Sequence, residues 1–231
     1  MSNNFNLYSQ YYDLLYEDKN YQQEVNYVYK LIEIYNPKSG LSLLDLGSGT
    51  GKHGKLFVKK GFTVLGIEKS KEMVKIANKK KNKGFSSIQS DIINFSLNKK
   101  FDVITALFHV ISYVNNNSEL ESTFKNVNSH LKKGGIFIFD VWFSPAVYTQ
   151  KPENRIKKLN NNKIDITRIA EPKIQYHKNI VDVNYHLYIK NRETKKYFEI
   201  NEKHSMRHFS IPEIEYFAKV CNFQMLNIEE Y

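Results

Sequence analysis

Asp45, Glu68 and Asp91 recur at intervals of 23 residues. Each sits in or just after a short apolar run, and Leu43–Leu46, Phe62–Ile67 and Phe85–Gln89 read as three strands. The spacing therefore sets three carboxylates at three successive strand tips. Between the first two acids stands Gly47-Ser48-Gly49-Thr50-Gly51. Glycines at alternate positions let the backbone turn tightly and approach a ligand with no Cβ in the way. The helical pattern over 52–60 then places the loop's N–H groups at a helix N-terminus, a cradle for a nucleotide-like ligand. Glu68 can accept hydrogen bonds from both hydroxyls of a ribose. Asp91 can accept the exocyclic amine of an adenine, with Ile92 against the ring. His109 offers an imidazole able to take a proton near neutral pH, with Tyr16, Tyr113 and Asp140 as rivals for that catalytic role.

The glycine loop admits two registers. Gly49, Gly51 and Gly54 satisfy the dinucleotide fingerprint G-x-G-x-x-G, but that pattern should begin where the strand ends, and the strand ends at Gly47. Asp45-x-Gly47-x-Gly49-x-Gly51 is in register. In that form, with the three spaced acids, the chain resembles the class I S-adenosylmethionine-dependent methyltransferases. The stretches Tyr12–Tyr16, Phe108–Tyr113 and Asp140–Pro145 resemble small-molecule members that methylate amino sugars. Leu131-Lys132-x-Gly134-Gly135 before an apolar strand follows the same family pattern. The resemblance implies S-adenosylmethionine as cofactor, with S-adenosylhomocysteine as its product. It also implies cofactor contacts from Tyr21, Asp45, Gly47, Ser48, Gly49, Thr50, Gly51, Glu68, Lys69, Met73, Asp91, Ile92, Leu107 and Phe108. The family's Asn/Asp-Pro-Pro-Tyr/Phe motif for exocyclic base amines is absent, as is a Pro-Cys nucleophile, and both absences weigh against a nucleic-acid acceptor.

These residues need positioning elements. The pattern predicts a tyrosine-rich helix over 8–18 and a second helix over 21–35, ended by Asn36-Pro37 and Gly40. Phe101–Leu107 and Ile136–Phe139 read as further strands, with a helix over 119–131 between them. From Pro145 the period changes to alternation, in Ile164–Ile169, Val181–Ile189 and Phe198–Ile200, with a turn at Asn191–Thr194. That is an inserted antiparallel sheet, expected over the carboxyl edge as a lid. Arg168, Tyr176, His177 and His186 are its candidate acceptor contacts. A helix over 211–222 and a sixth strand over 224–229 close the chain. The family adds a seventh, antiparallel strand, so a chain trimmed at Tyr231 is the expectation.

Composition bounds the rest. The 231 residues, 41% hydrophobic and 14% aromatic, suffice for one moderate core with an insertion. No apolar run reaches the roughly 18 residues of a membrane span, and residues 1–10 lack an apolar signal core. The single cysteine, Cys221, excludes an internal disulfide, reads as a buried structural thiol and suits a cytoplasmic location. Metal-ligand spacing is absent, so no metal is expected. The net charge of +10 invites a nucleic-acid partner, but lysine is spread along the whole chain as a general bias. The densest run, Lys79–Lys83, suits a solvated helix end.

The expected fold is α/β, a doubly wound, Rossmann-like, mostly parallel sheet with an N-terminal helical cap and an inserted antiparallel β lid. The expected divisions are a cap over 1–40, a cofactor-binding core over 41–144 and 208–231, and an acceptor lid over 145–207. The expected activity is methyl transfer from S-adenosylmethionine to a small acceptor, an amine or hydroxyl of a sugar or sugar nucleotide, with no membrane partner and a homodimer among the allowed assemblies. RNA or DNA methylation, NAD-dependent oxidoreduction and a non-catalytic S-adenosylmethionine sensor are the alternatives.

Overall fold

The computed structural model describes residues 9–36, 40–79 and 82–229. Tyr8, Pro37, Lys80, Lys81 and Tyr231, each part of a sequence expectation above, lie outside the described residues. In chain order the helices are α1 (Ser9–Leu15), α2 (Tyr21–Tyr35), α3 (Lys52–Lys59), α4 (Lys71–Lys79), α5 (Asn117–His130), α6 (Ser144–Gln150) and α7 (Ile211–Val220). The strands are β1 (Ser42–Leu46), β2 (Thr63–Glu68), β3 (Phe85–Gln89), β4 (Phe101–Ala106), β5 (Leu131–Phe139), β6 (Trp142–Phe143), β7 (Arg155–Asn160), β8 (Ile164–Gln175), β9 (Ile180–Asn191) and β10 (Tyr197–Phe209). The described residues form two compact units, one from within 20–141 and 210–229 and the other from within 9–19 and 142–209.

The first unit is a parallel five-stranded sheet in the order β3-β2-β1-β4-β5. Chain order runs outward from β1 through β2 to β3, then returns to β4 on the other side of β1. That reversal opens a crevice at the carboxyl ends of β1 and β4, where ligands of such sheets bind. The strands are apolar because both faces are covered: Leu43, Leu44, Leu46, Val103 and Ile104 are fully buried. Helix α2 starts at Asn20, whose Oδ1 accepts the Gln23 N–H at 3.0 Å. It buries Val25, Val28 and Ile32 against Leu43, Phe57 and Val103. Truncating that cap, Asn20→Ala, is expected to cost about 1 kcal/mol, read as a fall in melting temperature of roughly 2–4 °C.

On the far side of the sheet, Phe124 of α5 is ringed by Phe137, Phe139, Phe217 and Phe223. Cys221 follows α7 directly and is buried. The strand expected over 224–229 is not formed. Asn222 turns the chain with φ of 60°, Phe223 packs on Phe137, and the alternating Leu226 and Ile228 stay exposed. Alternation alone does not make a strand when no neighbouring edge accepts its hydrogen bonds. Among the described residues, the first sheet ends at β5.

The second unit is a five-stranded sheet in the order β6-β10-β9-β8-β7. Its three long strands are antiparallel, as their alternation predicts. Two edges were not legible. β6 is two residues long and pairs in parallel with His208 and Phe209 of β10. β7 is lysine-rich, a polarity that protects an edge strand from further pairing. Pro172 sits in β8 just beyond the stretch that β7 covers.

By contact clustering, the described residues before Asn20 go with the second unit and those of α2 with the first. Leu15 of α1 is fully buried with Ile166, Leu187, Ile189 and Ile200 of the second sheet, whereas α2 packs on the first.

Candidate active site

Asp45 is the fourth residue of β1, opposite Gly66 of β2 and Thr105 of β4. It is 2% exposed. Its Oδ1 accepts the Thr105 hydroxyl at 3.0 Å, while its Oδ2 is buried and has no partner. Burial pushes its pKa up to about 6, opposed by the charge of His53 and by the Thr105 hydrogen bond. An anionic oxygen in such a place is costly unless a cationic donor meets it.

Two residues on, Gly47, Gly49 and Gly51 adopt φ of 64°, 54° and 80°. A Cβ at Gly47 would lie 2.5 Å from a Val110 methyl, and one at Gly51 would lie 2.6 Å from the Phe85 ring. A Cβ at Gly49 would meet nothing nearer than the Met73 sulfur at 3.9 Å. The flanking glycines are thus required by packing, and the middle one leaves open space. Ser48 and Thr50 are buried. The Ser48 hydroxyl pairs with Ser87 at 3.1 Å, its N–H donates to the Ile67 carbonyl at 3.0 Å and its carbonyl accepts the Gly51 N–H at 2.8 Å.

Glu68 ends β2 at 8% exposure. Its Oε2 accepts the Gly49 N–H at 3.0 Å and its Oε1 accepts the Ser70 N–H at 2.7 Å. One carboxylate thereby ties the glycine loop to the start of α4, and each oxygen retains a lone pair for a diol. Burial raises its pKa, against the backbone hydrogen bonds that favour the anion. Asp91, after β3, accepts the Ile93 N–H at 3.1 Å and lies 2.7 Å from the Lys69 ammonium. Met73 is buried, Ile92 half-buried, and Leu107 belongs to the sheet core.

At the end of β4, Phe108 and His109 both take left-handed φ, 66° and 62°. Two successive non-glycine residues in that region cost about 1–3 kcal/mol each and persist only where the surroundings fix them. Asp140, at the end of β5, does so: the His109 N–H donates to both of its oxygens at 3.1 Å, and the ring Nδ1 lies 2.8 Å from Oδ2. Tyr113 follows on a 3-10 turn, 39% exposed.

Sequence reasoning missed Glu24 and His53. Tyr21 and Glu24, on the first turns of α2, reach the first turn of α3. Glu24 Oε2 is 2.7 Å from His53 Nε2, the Tyr21 ring stands edge-on to His53 at 4.9 Å, and Lys52 covers Tyr21 at 4.9 Å. The available signal was a histidine two residues after the last loop glycine.

Tyr16 belongs to the second unit. There the Arg168 guanidinium lies 5.8 Å from the Tyr16 ring and 5.2 Å from the Tyr185 ring. Tyr185 stands edge-on to His204 at 5.0 Å, and His204 Nε2 is 3.1 Å from Glu202 Oε2, both side chains 6% exposed. Burial pushes the Tyr185 hydroxyl up to about 12, with Tyr16 adding to the shift and Arg168 opposing it. Tyr185, Glu202 and His204 were not singled out by sequence. Of the other acceptor candidates, His186 bonds Asn201 and pairs with Glu171, and Tyr176 stacks on Tyr148 with its ring exposed. His177 is exposed.

Among the described residues, no cluster of metal-ligating side chains occurs and no helix is long and apolar enough to cross a membrane.

The dTDP-3-amino-3,4,6-trideoxy-alpha-D-glucopyranose N,N-dimethyltransferase of Streptomyces venezuelae is 30% identical over 139 residues, covering 59% of this chain and 58% of that protein. The chain spans between 54% and 64% of the length of the curated relatives it matches first. A solved S-adenosylmethionine-dependent methyltransferase from Clostridium acetobutylicum ATCC 824 is 25% identical with a TM-score of 0.77, covering 94% of this chain and 87% of that one. The sugar N-methyltransferase KedS8 from Streptoalloteichus sp ATCC 53650 shares the fold with a TM-score of 0.81 at 21% identity, over 91% of this chain and 83% of that one. The methyltransferase domain family matches residues 18–225, a span that takes in every strand of both sheets. The chain belongs to that family.

Proposed function

We propose that this chain transfers a methyl group from S-adenosylmethionine to the amino group of a small acceptor, a sugar or sugar nucleotide. The observation that carries the choice of cofactor is the unpartnered, buried Oδ2 of Asp45 beside the glycine loop. A carboxylate there repels the pyrophosphate of a dinucleotide and suits the α-ammonium of a methionine moiety. The bound cofactor supplies a methyl already activated on a sulfonium. Asp45 would hold the ammonium, Glu68 the ribose hydroxyls, and Asp91 the adenine amine with Ile92 against the ring. The backbone of Gly47–Gly51 would follow the methionine chain.

The protein's remaining tasks are orientation, exclusion of water and removal of one proton. Asp140 sets a carboxylate 2.8 Å from Nδ1 of His109, and in this reading Nε2 is the atom that would meet the acceptor. His109 Nε2 would take the proton of an acceptor ammonium, making its nitrogen lone pair available. His109→Gln is expected to lower kcat by roughly 10–100-fold with little change in KM for S-adenosylmethionine, checked by steady-state kinetics at saturating acceptor.

The second sheet, taken by itself, carries groups suited to a sugar-nucleotide phosphate. Its apolar face is interrupted by Arg168, Tyr185, Glu202 and His204 at neighbouring register positions. A guanidinium between two phenol rings suits the phosphate of a sugar nucleotide. The amino-sugar names of the relatives support the same acceptor class. The test is incubation with S-adenosylmethionine and a dTDP-3-amino-deoxyglucose, followed by mass spectrometry for added methyl groups. Methylated sugar supports the reading. Cofactor binding with no transfer to any amino sugar rules out the acceptor class.

A further inference from the structure

Lysine occurs along the whole chain, but its charge is left unbalanced in one place. Residues 52–83 hold 11 lysines and two acids, a net of +9 out of the chain's +10, and the other 23 basic and 22 acidic side chains nearly cancel. This stretch forms α3, β2, α4 and the turn into β3. Phe57 of α3, Ala77 of α4 and Phe85 of β3 share one buried cluster, so the two helices cover the same side of the first sheet. The turn at Lys83 lies against the end of α3, since a Cβ at Gly84 would be 3.1 Å from a Val58 methyl. The two acids offset little of the outer charge. Glu68 is buried and holds the N–H groups of Gly49 and Ser70, and Glu72 is taken up by Lys75 at 2.7 Å.

Helix stability does not call for this pattern. Lys71, Lys75 and Lys79 are exposed and stand four residues apart on one face of α4, where like charges repel. Lys52 and Lys71 open their helices, at the pole that disfavours cations, and α3 has no acid in its first turn. Among the described residues, no large apolar side chain of α3 or α4 is exposed. The face therefore has neither the apolar stripe of an interfacial membrane helix nor the aromatic platform of a single-strand binder. It has a row of lysines rising about 6 Å apart along α4, continued by the exposed Lys59 and Lys83. That row suits a regularly repeating anion, with a phosphate about every 3.4 Å along each strand. We propose that the outer face of α3 and α4 docks the phosphate backbone of a duplex nucleic acid. The duplex is held without base readout, as a partner and not as the methyl acceptor.

The experiment is fluorescence anisotropy of a short labelled DNA duplex titrated with the full chain between about 50 and 200 mM salt. Five phosphate contacts predict a slope of log K against log salt of about −4.5, so the dissociation constant should rise roughly 500-fold across that range. Two variants of equal net charge locate the contact. Lys59→Gln, Lys71→Gln, Lys75→Gln, Lys79→Gln and Lys83→Gln together should weaken binding at least roughly 100-fold at about 100 mM salt and flatten the slope to about −1. Lys158→Gln, Lys163→Gln, Lys178→Gln, Lys195→Gln and Lys196→Gln together remove five exposed lysines of the second unit. That variant should stay within roughly threefold of wild type, because charges beyond a Debye length of about 10 Å are screened. The double variant Lys71→Gln, Lys79→Gln leaves the Lys75–Glu72 pair in place and should reduce the slope's magnitude by about 2. A wild-type slope near zero, or equal losses in the two fivefold variants, overturns the inference. Binding to phosphatidylserine-containing vesicles with no binding of the duplex also overturns it, and makes the face a membrane contact. The cofactor reading uses none of these lysines and stands or falls separately.

Discussion

Asp45→Asn is expected to weaken S-adenosylhomocysteine binding by about 100-fold without lowering the stability of the ligand-free protein. The two effects share one cause. The carboxylate is 2% exposed, and its pKa is raised from 3.8 to about 6. That displacement corresponds to about 3 kcal/mol of unfavourable charge burial at neutral pH. A raised acid binds more protons folded than unfolded, so this group destabilises the fold above about pH 6 and the penalty fades as pH falls toward 3.8. Asparagine removes the charge and keeps an acceptor for Thr105. It leaves one buried amide hydrogen pair unmet, worth about 1–3 kcal/mol. The balance is neutral to favourable, so the melting temperature should hold or rise by a few degrees. Binding loses a charge-assisted hydrogen bond of about 3 kcal/mol, which is about 100-fold. Thermal melts with and without S-adenosylhomocysteine read both halves. A lower melting temperature combined with unchanged affinity would contradict the assignment of Asp45 to the cofactor.

Glu68→Ala should behave oppositely in stability. Its carboxylate satisfies the N–H groups of Gly49 and Ser70 at 3.0 and 2.7 Å. Removing it strands two nearly buried donors, at about 1–3 kcal/mol each, less the relief of burying a carboxylate. A net loss of about 2 kcal/mol is expected, seen as a fall in melting temperature of roughly 4–8 °C. The loop that faces the ligand is loosened at the same time, and the ribose acceptor is lost. Two charge-assisted hydrogen bonds to a diol are worth about 4 kcal/mol together, so affinity should drop about 1,000-fold. Glu68→Gln, which keeps one acceptor oxygen, should fall between wild type and Glu68→Ala in both measurements. Equal melting temperatures for wild type and Glu68→Ala would show that the carboxylate does not brace the loop.

What could be read before folding was whatever is local. The glycine loop, the acids at the tips of β1 and β2 and after β3, and the alternation of β8, β9 and β10 each lie within a few residues of chain. The α2 boundaries were also legible, since Asn20 and Asn36 flank a regular apolar stripe. What failed was partnership. The tyrosine-rich pattern of α1 does not say that Leu15 is buried with Ile166 and Leu187 while α2 turns to Leu43. Glu24 and His53 are 29 positions apart, on helices whose meeting depends on both packing against one sheet. Arg168 was singled out, but its neighbours Tyr185, Glu202 and His204 come from strands whose register only the folded sheet defines. Gln224–Glu229 alternates like a strand but joins no strand among the described residues. Pattern reports which groups must be buried or bonded; it leaves open with whom.

Isothermal titration of the full chain at neutral pH, once with S-adenosylhomocysteine and once with NAD, addresses the cofactor most directly. Saturable binding of one S-adenosylhomocysteine per chain and no heat with NAD is expected, because a buried carboxylate such as that of Asp45, beside the glycine loop, would repel a pyrophosphate. Binding of NAD with no response to S-adenosylhomocysteine would contradict the methyl-transfer reading.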